Sequence, residues 1–165
     1  MKNKYMDSKK LFKYLQGTWV INRTIINNKE PHLSFLAKGK ASVGTEEETT
    51  LIYKEKMILE LNNNNLEGHK EYKYILKQEE LGLYNNDYGK TSLMFNLLFD
   101  PKLEKIATGQ YKCKHDTYDA FYYFFVDDNK FILTFEVSGP EKNCSIISSF
   151  SRENAVEISG EIENN

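Results

Sequence analysis

Cysteine is nearly absent: the 165 residues hold two, Cys113 and Cys144. That excludes a disulfide scaffold and leaves too few thiolates for a four-cysteine zinc site. Proline is equally scarce, at three residues, so no proline-rich linker divides the chain. No apolar run approaches the ~18–20 residues of a membrane span, and the opening Met1-Lys2-Asn3-Lys4-Tyr5-Met6-Asp7 lacks a signal-peptide core. Neither charge sign dominates. Lys and Arg total 22 against 24 Asp and Glu, for a formal charge of -2, which removes the basic face that general nucleic-acid binding needs. Glycine-rich phosphate loops and nucleotide fingerprints are missing as well. These absences leave a soluble, cytoplasmic protein with no membrane span, no nucleic-acid partner and no cofactor motif as the expectation.

Arginine is the most informative shortage. It occurs only at Arg23 and Arg152, and every other basic residue is Lys. Asn is abundant too, with a run at Asn62-Asn63-Asn64-Asn65, so a Lys- and Asn-rich background is the simplest reading of the composition. Against that background, a retained Arg points to a position that needs a planar, always-charged guanidinium.

What is plentiful is core material. Hydrophobic residues make up 40% and aromatics 13%, enough for one domain at this length, placed at residues 1–152. A short helix over 7–16 opens it, with Asp7 as N-cap, Leu11, Phe12 and Leu15 on one side, and Gly17 as the stop. The period then changes to two. Over 18–27, Trp19, Ile21, Arg23 and Ile25 share a face, and over 50–61 Leu51, Tyr53, Glu55, Met57 and Leu59 do the same. Weaker or shorter strands follow at 35–45, 69–77, 81–84, 93–99, 109–115, 118–126, 131–137 and 144–152. The Asn run with Gly68, Asp127-Asp128-Asn129 and Gly139-Pro140 supply turns. Residues 153–165 are acidic and polar and are expected to fray. The pattern predicts an all-β fold, an antiparallel β-barrel of about 8–10 strands with one short N-terminal helix over an end. A sandwich core rarely holds Arg23, Glu55 and many tyrosines together, because buried charge must be paired; a barrel with a partly polar cavity accommodates them.

Gly17-Thr18-Trp19 after a short helix, with Arg152 closing the last strand, resembles the calycin superfamily of lipocalins and fatty-acid-binding proteins. That resemblance implies that Trp19 packs under Arg152 in a cation–π stack that shuts the barrel floor. A longer series of marks runs from Leu11 to Arg152. It comprises Gly17-Thr18-Trp19 with Arg23, Tyr53-Lys54-Glu55, Tyr72-Lys73-Tyr74, Cys113-Lys114-His115-Asp116-Thr117-Tyr118, Gly139-Pro140-Glu141-Lys142 and Phe150-Ser151-Arg152. In this order they are similar to domain-of-unknown-function family 6314, which implies a calycin-like barrel. Where that family's pattern has His two residues before the Cys, this chain has Tyr111, and a His stands instead at His115.

Candidate chemistry follows from these positions. Arg23 and Glu55, both on the face assigned to the interior, either hold an anionic ligand and poise a carboxylate, or satisfy each other as a buried ion pair. Cys113, His115 and Asp116 invite a nucleophile or metal reading, but the spacing does not suit zinc, and no metal is expected. A small apolar Cys in a sheet explains Cys113 more simply. Lys142 sits in a turn and places a positive charge at the barrel mouth. The tyrosines Tyr72, Tyr74, Tyr118, Tyr122 and Tyr123 read as amphipathic wall. The expected function is a small-molecule-binding protein whose apolar or aromatic ligand carries an acidic group. Its ligand-binding residues would be Arg23, Tyr53, Glu55, Tyr72, Cys113, Asp116, Tyr118 and Lys142, with Trp19 and Arg152 structural. The alternative is a cofactor-free calycin-type enzyme (isomerase, cyclase, decarboxylase or chromophore lyase) with Glu55 or Asp116 as acid/base.

Overall fold

The computed structural model describes residues 5–29 and 32–153. Helix α1 (Ser8–Tyr14) begins where the Asp7 carboxylate accepts the Lys10 N–H at 2.8 Å, as the sequence predicts. Gly17 is not its stop: the helix ends at Tyr14 with Leu15 as C-cap, and Gly17 is the first residue of a strand.

Eleven strands follow among the described residues, more than the 8–10 expected. The first six are β1 (Gly17–Asn27), β2 (Ser34–Glu47), β3 (Thr50–Leu61), β4 (Asn64–Lys77), β5 (Glu80–Asp87) and β6 (Lys90–Asn96). The rest are β7 (Leu98–Phe99), β8 (Ile106–Cys113), β9 (Asp116–Phe125), β10 (Lys130–Ser138) and β11 (Asn143–Arg152). Two differences from the sequence reading have local causes. Half of the Asn run is strand: Asn62, with φ +38°, and Asn63 suffice for a two-residue turn, so Asn64, Asn65 and Gly68 belong to β4. The apolar stretch at 93–99 is two strands, because the chain changes neighbours at Leu97: Asn96 still pairs with β5, while Leu98 pairs with β8. Of the acidic tail, Glu153 is described and pairs with Lys40; residues 154–165 lie outside the described residues.

All the pairings are antiparallel, in the order β6-β5-β4-β3-β2-β1-β11-β10-β9-β8-β7, and the two ends of this sheet meet in a nearly closed barrel. The seam lies between β6 and β8, where no ladder forms and side-chain packing closes the wall instead. A Cβ on Gly109 of β8 would sit 2.1 Å from the Phe95 ring of β6, so glycine there is what lets the ring cross the seam.

The helix end of the barrel is its floor. Trp19, fully buried, lies edge-on to Phe131 at 4.8 Å and donates its indole N–H to the Leu15 carbonyl at 2.8 Å; Phe131 in turn stacks on Phe150 at 4.3 Å. The Arg152 guanidinium lies over Trp19 at 4.2 Å and beside the Tyr14 ring at 5.1 Å. It also donates to the carbonyls of Gln16 and Tyr14, each at 2.7 Å, tying the end of the last strand to the helix-to-strand corner. Gly17 completes the corner: its φ of +131° favours glycine, and a Cβ there would meet Arg152 Nη1 at 2.8 Å. The stack of Trp19 and Arg152 that the calycin resemblance implied is thus present. Because a Lys ammonium lacks the planar fork that meets both carbonyls while lying over the indole, Arg152→Lys should lower the unfolding free energy by about 2–4 kcal/mol in a urea titration. Equal stability of the two proteins would remove this role for the guanidinium.

Candidate functional site

Above the floor, the alternation of β1 and β3 turns Arg23 and Glu55 into the barrel, and the two meet as a bidentate pair. Arg23 Nη1 donates to Glu55 Oε2 at 2.8 Å and Nη2 to Oε1 at 3.0 Å. The strand between them makes this possible. The inward positions of β2 are Ala37, Gly39 and Ala41, so nothing bulky stands in the way of an Arg reaching over β2 to β3. Arg23 Nε donates to Ser148 Oγ at 2.7 Å, its direct neighbour on β11, and Tyr53 donates its hydroxyl to Glu55 Oε1 at 2.6 Å.

The electrostatics follow from that geometry. Burial pushes the Glu55 carboxyl up, but the hydrogen bonds and charge of Arg23, with the Tyr53 hydroxyl, outweigh it and hold the carboxyl below its ordinary value. Burial alone would lower Arg23, and Glu55 reverses this, leaving it raised. Tyr53 and Tyr72 are both pushed up, by burial first and then by the negative charge of Glu55. Both members of the pair are therefore ionised at neutral pH, and their charges cancel.

The pair opens onto an interior cavity of about 120 Å³, lined on its apolar side by Leu83, Leu133, Phe135 and Ile146 and on its polar side by Tyr53, Tyr72 and Ser148. Below it the hydroxyls of Tyr74 and Tyr122, both buried, hydrogen-bond each other at 2.8 Å. The Tyr72 hydroxyl has no hydrogen-bond partner among the described residues, and its ring packs 5.6 Å from that of Tyr53. On the outer side, the β4–β5 ladder begins only at Tyr72. Where the two strands part, a depression of about 440 Å³ reaches Glu55 beneath the ion pair of Lys70 with Asp87, 3.2 Å apart.

The remaining candidates form a second group at the mouth. Asp116 opens β9 with its carboxylate against the Gly139 turn: a Cβ on Gly139 would lie 2.0 Å from Asp116 Oδ1. The next carbonyl, that of Pro140, accepts the Lys29 ammonium at 2.8 Å. Lys142 donates to the Tyr118 hydroxyl at 3.4 Å, which raises the lysine pKa, and the Tyr118 ring stacks on Tyr111 at 4.8 Å. Burial, and then Tyr118, push the Tyr111 hydroxyl up to about 12.

The eight sequence-derived positions thus divide. Arg23, Tyr53, Glu55 and Tyr72 come together inside, Asp116, Tyr118 and Lys142 meet at the rim, and Cys113 ends β8 exposed as a free thiol. The strand expected over 109–115 ends early: β8 stops at Cys113, and the hairpin turn, with Lys114 at φ +59°, carries His115 away from the alternation that would have put it on the face of Cys113. Among the described residues, no group of three His, Cys, Asp or Glu side chains gathers as a metal site. Sequence reasoning missed Ser148, although a serine at an inward position between Ile146 and Phe150 is a readable signal of a buried partner. It also passed over Tyr111 as a ring in the wall.

Replacing Glu55 with Gln leaves Arg23 without its counter-charge and should lower stability by about 3–5 kcal/mol, whereas Arg23→Met combined with Glu55→Leu should recover most of that loss. The pH dependence has a definite sign. The folded-state carboxyl lies below its unfolded value, so its stabilisation is complete above about pH 4.3 and is lost as pH falls through the lower folded-state value. Urea titrations from neutral to strongly acid pH should show the wild type losing more stability than the Met–Leu variant.

Comparison with known proteins agrees with this architecture. The S-type phycobiliprotein lyase CPES of Guillardia theta superposes with a TM-score of 0.61 at 8% sequence identity, over 92% of this chain and 95% of that one. No curated protein matches. Residues 15–152, from the helix end through the closing Arg152, match one family over nearly the whole barrel, and the chain belongs to the family of unknown function DUF6314.

Proposed function

We propose that the barrel binds a small organic molecule that places a ring-sized apolar part in the interior cavity and an acidic group toward the mouth. The observation that carries this is the cavity itself. A void of about 120 Å³ takes roughly one aromatic ring, and its wall combines six apolar side chains with the unpartnered Tyr72 hydroxyl and the Arg23–Glu55 pair. Because Glu55 cancels the charge of Arg23, recognition at this depth is by hydrogen bonding, from the Tyr72 O–H and the guanidinium N–H groups that Glu55 and Ser148 do not use. The cation for an acidic group is Lys142, which makes no ion pair among the described residues and touches the Tyr111–Tyr118 stack through Tyr118.

Titration with an anionic aromatic dye, read by fluorescence and by native mass spectrometry, tests this. The wild type should bind one equivalent, and Leu133→Trp, which fills the cavity, should abolish binding while the protein stays folded. Lys142→Met should weaken the anionic dye up to about fivefold, the range of an exposed ion pair, and leave a neutral dye of similar shape unaffected. Undiminished binding by Leu133→Trp would refute the cavity as the site.

A second reading is favoured by the superposed structure, which is described as a lyase. In a catalytic barrel Glu55, held ionised, would serve as base rather than acid. Glu55→Gln would then lower the turnover of the folded protein by about 10²–10⁴-fold, whereas in a binding protein the same change, beyond its cost in stability, alters affinity.

A further inference from the structure

The outer wall of the barrel is divided in its charge. On β2, β3 and β4 the outward positions are dominated by charge: Lys38 and Lys40, Lys54, Lys56 and Glu60, then Glu71 and Lys73. On the opposite wall, the register places Thr24 of β1, Ile147 of β11, Thr134 of β10, Phe121 of β9 and Thr108 of β8 side by side in one outward row. The next outward row toward the floor reads Asn22, Ser149, Ile132, Tyr123 and Ile106 across the same strands. Neither row holds a charge, in a chain where 28% of residues are charged. Exposed leucines extend the first row at both ends, Leu36 at 53% and Leu98 at 66%. A wall that faced only water would not lose its charge across five adjacent strands, and contiguous uncharged surface of this kind marks an interaction site.

The charges that flank these rows indicate the occupant. Along the outward face of β10 the residues read Lys130, Ile132, Thr134 and Glu136: a base, two uncharged side chains and an acid. This order is antisymmetric about the midpoint between Ile132 and Thr134. A second copy of the chain, turned by a two-fold axis through that midpoint, sets Glu136 against the partner's Lys130 and, reciprocally, Lys130 against the partner's Glu136. Isologous two-fold contacts of this kind are the commonest way in which like chains associate. Asp119 stands beside Glu136 on the acidic edge, and the Ser145 hydroxyl, donating at 2.6 Å, holds the Glu136 carboxylate at the edge of the uncharged rows. We propose that the outer face of β1, β11, β10, β9 and β8 is a dimer interface, with two barrels packed wall to wall about β10 and their mouths pointing in opposite directions.

Sedimentation equilibrium of the full chain across a micromolar-to-millimolar range tests this. The wild type should dimerise reversibly. Ile147→Lys, an exposed position whose change does not touch the interior, should raise the dissociation constant at least tenfold, as truncation or charging of a central anchor does. Glu136→Lys and Lys130→Glu should each weaken association by like-charge repulsion, and the two combined in one chain should restore it, because the double exchange recreates the complementary pair. A wild type that stays monomeric would overturn the proposal, and so would a dimer that Ile147→Lys leaves intact. Failure of the double exchange to restore a dimer that both single exchanges weaken would overturn the two-fold arrangement.

Discussion

The contact on which the rest of the barrel depends is the one between its first and last strands at the floor. Arg152 lies over Trp19, and its two carbonyl bonds fix the end of β11 to the corner from which β1 departs. Trp19 and Arg152 are also register partners. Once they are placed, every pair along β1 and β11 follows, and four residues further up Arg23 must stand opposite Ser148. A slip of one residue would turn Arg23 and all its neighbours to the outer face. The floor therefore does more than close an end, since it determines which side chains face the cavity.

The Arg23–Glu55 pair then illustrates how a charged group is tolerated in a β-barrel core. Its stabilising value is small compared with the cost of leaving either partner alone, because desolvation offsets most of the attraction. Two neighbours satisfy it, Ser148 accepting from Nε and Tyr53 donating to the carboxylate, while the small inward residues of β2 leave the path open. The result is a polar surface of zero net charge set into an apolar wall. Such a surface selects a ligand by the direction of its hydrogen bonds, and places selection by charge at the rim, where Lys142 and Tyr118 stand.

Much of this was legible in the sequence, for identifiable reasons. Period-two alternation assigned Trp19, Arg23, Tyr53 and Glu55 to the interior, and the rarity of Arg singled out both guanidiniums, each of which proved to make three or more polar contacts. Alternation fails where a strand ends. Cys113 and His115 were two apart, yet a turn residue at positive φ separates them. Tyr111 and Ser148 were hidden for a different reason: a ring in a β-rich chain and a hydroxyl in a strand are both commonplace until the neighbouring strand is known. The number of strands was underread because the change of partner at Leu97 is a fact about the two flanking strands, β5 and β8, and leaves no mark in the local pattern.

The seam between β6 and β8 gives the barrel a property that a continuous ladder would deny it. Everywhere else, widening the wall breaks rows of backbone hydrogen bonds together. At the seam only ring packing must give way, that of Phe95 against Gly109 and 6.4 Å from the Tyr111 ring of β8, contacts of dispersion with no directional bond to lose. The continuous segment from Lys90 to Phe99 hinges at Leu97, held to β5 on one side of that point and to β8 on the other. The circumference thus has one meridian held by side chains rather than by a ladder, and Phe95, whose ring lies 6.5 Å from that of Phe135, joins that meridian to the wall of the cavity.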